Sequence, residues 1–194
     1  MRGSSGVAGD EVDSLGRRDA VPYQNLSKGS ENMEKILRKI SESKALSMTL
    51  RLFSHFVTLI LVLAFGYLAV ILTKESFFEL FELGITLGVP FLLVTLLRKK
   101  VNAPRPYELY DFYPAPPKAK KGCSFPSRHA FSAFAIGTYL VFASPLLGGI
   151  ILAISALMCA ARVLLGIHFI RDVLCGAIIG TVTTLLGKFI FYLI

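Results

Sequence analysis

The sequence predicts an all-α fold: a multi-pass transmembrane helical bundle of about five spans, preceded by an N-terminal interfacial amphipathic helix. Three observations carry this expectation. Several apolar runs approach or exceed the roughly 18 to 20 residues that a helix needs to cross a bilayer. The 194-residue chain is 54% hydrophobic with a mean hydropathy of +0.61. The net charge is +8, and the basic residues cluster before Arg51 and between residues 98 and 121, at the edges of the apolar runs, not in the amphipathic rhythm of a soluble core.

Residues 1–32 are rich in Gly, Ser and charge, have no periodicity and lack the apolar centre of a secretory signal, so they are expected to be a disordered leader or tail. The membrane domain is expected over 33–194. From 33 to 44 apolar residues fall at Met33, Ile36, Leu37 and Ile40, the i, i+3, i+4, i+7 stripe of a helix lying on the membrane surface or packed on the bundle. The first span is read at 50–72, with His55 near its start as an ordinary interface histidine. The second, 77–97, follows a turn around Lys74 and Glu75 so short that the two must be antiparallel neighbours. Glu79 and Glu82, close to that turn, are read as structural. Gly84 with Gly88, and Gly176 with Gly180, form small-xxx-small pairs that predict close helix packing. Residues 98–125 make one long polar loop, basic, proline-broken and interleaved with tyrosines suited to the interface. The third span is read at 127–147, ended by Pro145, and the last two at 148–165 and 173–194.

The basic stretch is too short and too interrupted by proline for nucleic acid, and it suits anionic headgroups or a phosphate. Cys123, Cys159 and Cys175 are odd in number, two of them in apolar runs, and read as packing residues, not a disulfide framework or a metal site.

Charge inside membrane-grade sequence needs a reason. Between the last two spans, AARVLLGIHFIRD carries Arg162, His168 and Asp172. If helix begins near His168, imidazole and carboxylate lie i, i+4 on one face within hydrogen-bonding reach, fixing the tautomer and raising the basicity of a histidine nucleophile or base. A polar cap between two helices would use the same residues. Alternation of antiparallel spans brings this piece, Arg98 with Arg105, and Pro126-Ser127-Arg128-His129 to one membrane face. Arginine forks suit phosphate, and a helix opening after Pro126-Ser127 adds free N–H donors.

These residues resemble the type 2 phosphatidic acid phosphatase (PAP2) family, the membrane branch of the vanadium haloperoxidase-like superfamily. Its three-part pattern stands here as Arg98-x6-Arg105-Pro106, Pro126-Ser127-Arg128-His129 and Ala161-Arg162-x5-His168-x3-Asp172. Three positions depart from that pattern: Arg98 stands for lysine, Arg128 for glycine and Ala161 for serine. The resemblance implies an integral membrane hydrolase that removes the phosphate of a lipid phosphate or diphosphate, without cofactor or metal. It implies that His168 is the nucleophile forming a phosphohistidine, Asp172 its orienting carboxylate, and His129 the acid and then the base. Arg98, Arg105, Ser127, Arg128 and Arg162 would bind the substrate phosphate. Phosphatidate, phosphatidylglycerol phosphate and polyprenyl diphosphate are the candidate lipids. A catalytically degraded binder of anionic lipid and a small transporter are the rival readings; polar residues at one end of the spans, not along the midplane, weigh against transport. The basic loop leans cytoplasmic by the positive-inside rule, whereas the resemblance places the site on the extracytoplasmic face of the cell membrane, which is the expectation adopted.

Overall fold

The computed structural model describes residues 28–110 and 121–194. Most of the expected leader, and residues 111–120 of the long loop with Lys118 and Lys120, lie outside them. The chain divides into two units, Met1–Met33 and Glu34–Ile194. Only the first turns of α1 (Lys28–Glu42) belong to the former, and every later helix belongs to the latter.

All regular structure among the described residues is helical. Ser43 separates α1 from α2 (Lys44–Glu75), its hydroxyl accepting from the Leu46 N–H at 3.4 Å as an N-cap. At 32 residues α2 is about 48 Å long, more than the roughly 30 Å hydrocarbon core requires. Ser76 alone joins it to α3 (Phe77–Leu83), and its side chain accepts from the Phe78 N–H at 3.1 Å. The second span then departs from a simple helix. A π-helical turn, Gly84–Gly88, lies between α3 and α4 (Val89–Val101). Pro90, in the first turn of α4, has no N–H to give and its ring crowds the carbonyl four residues back, so the chain widens one turn before it. α4 ends at Asn102 in the left-handed region, φ 42°. One turn of helix, α5 (Pro106–Leu109), precedes the loop.

After the loop come α6 (Arg128–Ala143), α7 (Pro145–Leu164) and α8 (Ile170–Tyr192). The expected boundary at 147 is corrected: Ser144 is the only residue between α6 and α7, and Pro145 opens α7 at its first turn, where a missing N–H costs nothing.

Among the described residues four stretches are long and apolar enough to cross a membrane: Lys44–Lys74, Phe77–Leu109, Pro145–Leu164 and Ile170–Tyr192. α6, at 16 residues about 24 Å long, is shorter and lies in the middle, packed against α2, α4, α7 and α8. Its buried residues include Ala130, Ala133, Ala135 and Gly137, small enough for neighbours to approach on several sides. Phe131, Tyr139 and Leu140 of α6 meet Leu68, Leu83, Leu87 and Val94 in one core cluster, and Ala130 and Ala133 meet Val57, Leu61, Met158 and Val173 in another. The outward faces stay apolar: Leu63, Leu92 and Ile178 are each more than 60% exposed, a surface for which lipid is the matching solvent. α1 turns part of its stripe inward, with Leu37 fully buried and Ile40 lining a small gap with Arg51, Leu164 and Leu165.

The two glycine pairs behave differently. A Cβ on Gly176 would stand 2.5 Å from the Ser127 carbonyl oxygen and one on Gly180 2.4 Å from that of Phe131, so α8 touches the α6 backbone at both. Gly84 and Gly88 have nothing within 4 Å of that position and instead bound the π turn. Close packing through Gly84 and Gly88, expected from sequence, is therefore corrected.

Candidate active site

The end of α4, the start of α6 and the connection between α7 and α8 meet at one end of the bundle. Hydrogen bonds between loop segments hold them there. Asn102 Oδ1 accepts from the Cys123 N–H at 3.2 Å, the Ser124 N–H donates to the Ala103 carbonyl at 2.8 Å, and Glu108 Oε1 takes the Gly122 N–H at 2.7 Å. Gly122 is at φ 65° and a Cβ there would lie 2.2 Å from Asn102 Oδ1, so only glycine closes this crossing. The Tyr107 N–H reaches the Gly166 carbonyl at 3.3 Å, and the Ser127 N–H the Asp172 carbonyl at 2.9 Å. All three pieces of the sequence pattern are thereby pinned to one another.

Asp172 is fully buried in the first turn of α8. Its Oδ2 accepts from the Phe169 N–H at 3.0 Å and from the Ser124 hydroxyl, while exposed Arg171 comes within 3.6 Å of Oδ1. His168 stands before the helix, not in it: Phe169 is the N-cap. The expected i, i+4 helical pairing is thus replaced by a cap geometry that still sets His168 Nδ1 3.7 Å from Asp172 Oδ2. That is ion-pair range and too long for a hydrogen bond. The nearer atom is Ser124 Oγ, 3.4 Å from Nδ1. With its own proton directed to the carboxylate, the Ser124 hydroxyl is free to accept from Nδ1–H. Serine and aspartate together favour the tautomer that leaves the Nε2 lone pair free. His168 is 2% exposed, and burial first of all, opposed by Asp172, holds its pKa below the ordinary 6.5. The ring is therefore neutral at physiological pH.

Arginines crowd this histidine. Arg105 and Arg162 act electrostatically on His168, Arg105 and Arg98 on Arg162, and Arg162, His168, Arg128 and Arg98 on His129. Arg162 is buried in the last turn of α7, and its Nε has no hydrogen-bond partner among the described residues. Arg98 is buried as well, but Nη1 donates to the Pro126 carbonyl at 2.6 Å and Nη2 to that of Cys123. Arg105 donates from Nε to the Gly122 carbonyl at 3.0 Å. Ser127 is the N-cap of α6, accepting from the Ala130 N–H at 3.4 Å. Cations this close in a buried place need an anion, and the buried carboxylate among them is Asp172, Glu108 beside Arg105 being exposed.

From this cluster a cleft of about 530 Å³ runs between α2, α4 and α6, with Arg128 and His129 at its polar end and Leu61, Phe65, Leu87 and Phe91 along its walls. Among the described residues no three His, Cys, Asp or Glu side chains gather as metal ligands, and Cys123, Cys159 and Cys175 are free thiols. His55 is exposed on α2. Sequence reasoning missed Ser124, Asn102 and Glu108. Ser124 alone had a signal, a polar residue three positions before the Ser127 cap, and it was a faint one.

Residues 79–193 match the PAP2 superfamily. Among solved structures the chain is similar to LpxE of Aquifex aeolicus, at 23% identity and a TM-score of 0.60 over 79% of this chain and 93% of that one. It is also similar to a transmembrane PAP2-type phosphatidylglycerolphosphate phosphatase of Bacillus subtilis, at 23% identity and a TM-score of 0.59 over 88% and 89%. No curated protein sequence matches.

Proposed function

The chain belongs to the PAP2 superfamily, and from that premise we propose that it is an integral membrane lipid phosphatase, hydrolysing the phosphate or diphosphate monoester of a lipid through a phosphohistidine at His168. The observation that carries this is the buried His168, with Nδ1 turned to Ser124 and Asp172 and a surround of arginines that outnumbers the nearby carboxylates.

In this reading Nε2 of His168 attacks phosphorus. Asp172, with Ser124 between, offsets the positive charge that the ring gains. His129, at the mouth of the apolar cleft, gives its proton to the departing lipid oxygen and then takes one from the water that cleaves the phosphohistidine. Arg162 and Arg105 retain donors for the equatorial oxygens. Arg98 contributes charge, but its guanidinium is directed to the carbonyls of Cys123 and Pro126, so its main part is to hold the loop that carries Ser124 and the α6 cap. Ser127 has its backbone N–H on Asp172 and only its hydroxyl proton to offer. The positive charge that phosphoryl transfer requires is supplied by arginine, without a metal. The cleft suits a hydrocarbon chain, so phosphatidate, phosphatidylglycerol phosphate and polyprenyl diphosphate are the substrates to try; the name of the Bacillus subtilis neighbour supports the second.

Phosphate release from these lipids by the purified protein in detergent with EDTA tests the proposal. His168→Ala is expected to abolish release while the protein stays folded. Near-normal release by His168→Ala would end the phosphohistidine mechanism, loss in EDTA restored by a divalent ion the metal-free one, and binding without release would mark a degraded member. We place the site on the extracytoplasmic face. A cysteine at the exposed Lys121, in a chain lacking its native cysteines, should react with an impermeant thiol reagent on intact cells. Labelling only after lysis would place it inside.

A further inference from the structure

Arg128 is the polar residue that the mechanism above leaves unused. It is half-buried at the first position of α6 and lines the 530 Å³ cleft beside His129. Among the described residues no carboxylate pairs with it, whereas Arg98 and His129 both feel its charge. Beyond it the cleft is apolar apart from Thr58 and Ser132. A guanidinium that lines a largely apolar groove and is repelled by a neighbouring arginine gains from a bound anion on both counts.

We propose that the Arg128 side chain reads a second phosphate, carried by the substrate between the reacting phosphate and the hydrocarbon chain. This rests on the lipid phosphatase function proposed above. The place of Arg128 motivates this: it adjoins His129, which in the mechanism serves the departing oxygen, and both line the cleft whose other walls are apolar. For a lipid diphosphate, the bond from the outer phosphorus to the bridging oxygen breaks as His168 Nε2 bonds to that phosphorus. The bridging oxygen, with the proton from His129, leaves on a lipid monophosphate. Arg128 faces the charge that builds there, and water then releases phosphate from His168. A headgroup whose second phosphate is a diester a few atoms away presents the same chemistry.

The test compares matched pairs: farnesyl diphosphate with farnesyl monophosphate, and phosphatidylglycerol phosphate with phosphatidate of the same acyl chains. In Arg128→Gln and Arg128→Gly, the ratio of kcat/KM for the two-phosphate over the one-phosphate member should fall about 10- to 100-fold, the range of a lost charged hydrogen bond, with Arg128→Lys in between. The pair that responds shows whether the second phosphate is adjacent or separated. Ratios unchanged in both pairs, or equal losses on both members of each, would overturn the proposal. A binding arm separates it from the reaction: in His168→Ala, a farnesyl methylenediphosphonate should bind more tightly than farnesyl phosphonate, and Arg128→Gln should erase the difference. If the wild type released no phosphate but this difference held and was erased, the phosphatase function would fail and the role of Arg128 would stand. If Arg128→Gln left the difference intact, the role of Arg128 would fail.

Discussion

Replacing Gly176 by alanine tests whether α8 positions the reacting groups through backbone contact with α6. The new Cβ would lie 2.5 Å from the Ser127 carbonyl oxygen, 3.1 Å from the Ala130 Cβ and 3.2 Å from the Phe131 nitrogen. Ordinary contact begins at 3.4 Å, so 3.4 less 2.5 leaves about 0.9 Å to be found between two packed helices. Ser127 caps the helix that carries His129, and its N–H holds the Asp172 carbonyl at 2.9 Å. The displacement therefore falls across the gap between His129 and the His168–Asp172 pair. Overpacking of this size costs about 1 to 3 kcal/mol of stability, and a misplacement near 1 Å about 100-fold in rate. Gly180→Ala, which meets the Phe131 carbonyl at 2.4 Å one turn deeper, should cost as much stability but less rate. Gly66→Ala, with nothing within 4 Å, serves as the control. Thermal melting in detergent and steady-state phosphate release would separate the two effects. A Gly176→Ala protein with kcat within about twofold of wild type would refute positioning by this contact.

The remaining predictions concern Ser124, His168 and Lys188. Ser124→Ala removes the hydroxyl between His168 Nδ1 and Asp172 Oδ2 and should lower kcat about 10- to 100-fold with little change in KM, a split that a purely structural role would not give. The wild-type acid limb of kcat/KM should lie below pH 6.5, because burial depresses the His168 pKa and activity is lost only as pH falls through that lowered value; an acid limb above 6.5 would contradict the buried, neutral nucleophile. At the other end of the bundle Lys188 Nζ pairs with Glu82 Oε1 at 2.7 Å and lies 4.7 Å over the Tyr139 ring. Lys188→Met should destabilise the protein by about 3 kcal/mol by stranding a buried carboxylate, and adding Glu82→Gln should recover most of it in a melting experiment.

How legible each residue is in the sequence depends on whether its role is local or comes from a distant neighbour. Arg162, His168 and Asp172 stand out because ionisable groups in apolar sequence are costly, and the three-part spacing survives any detail of packing. The long apolar helices were legible for the same reason, composition over length, although the ends of α6 and α7 moved by a few residues because one capping serine suffices between them. Ser124 was barely legible, since a serine in a polar loop looks alike whether it faces solvent or bridges a buried carboxylate and an imidazole. The aim of Arg98 was equally hidden: its charge is in the sequence, but the carbonyls of Cys123 and Pro126 reach it only through the Asn102 turn and the Gly122 crossing. The glycines give the sharpest contrast. Gly84 with Gly88 and Gly176 with Gly180 have one spacing and two outcomes, because a small residue permits approach without supplying a partner. α8 finds the slender, alanine-lined flank of α6, whereas Gly84 and Gly88 precede Pro90, whose missing N–H turns the local freedom into a π turn. Spacing within one helix is local, but the neighbour that gives it meaning is not, and the contacts that bring the reacting groups together are of this second kind.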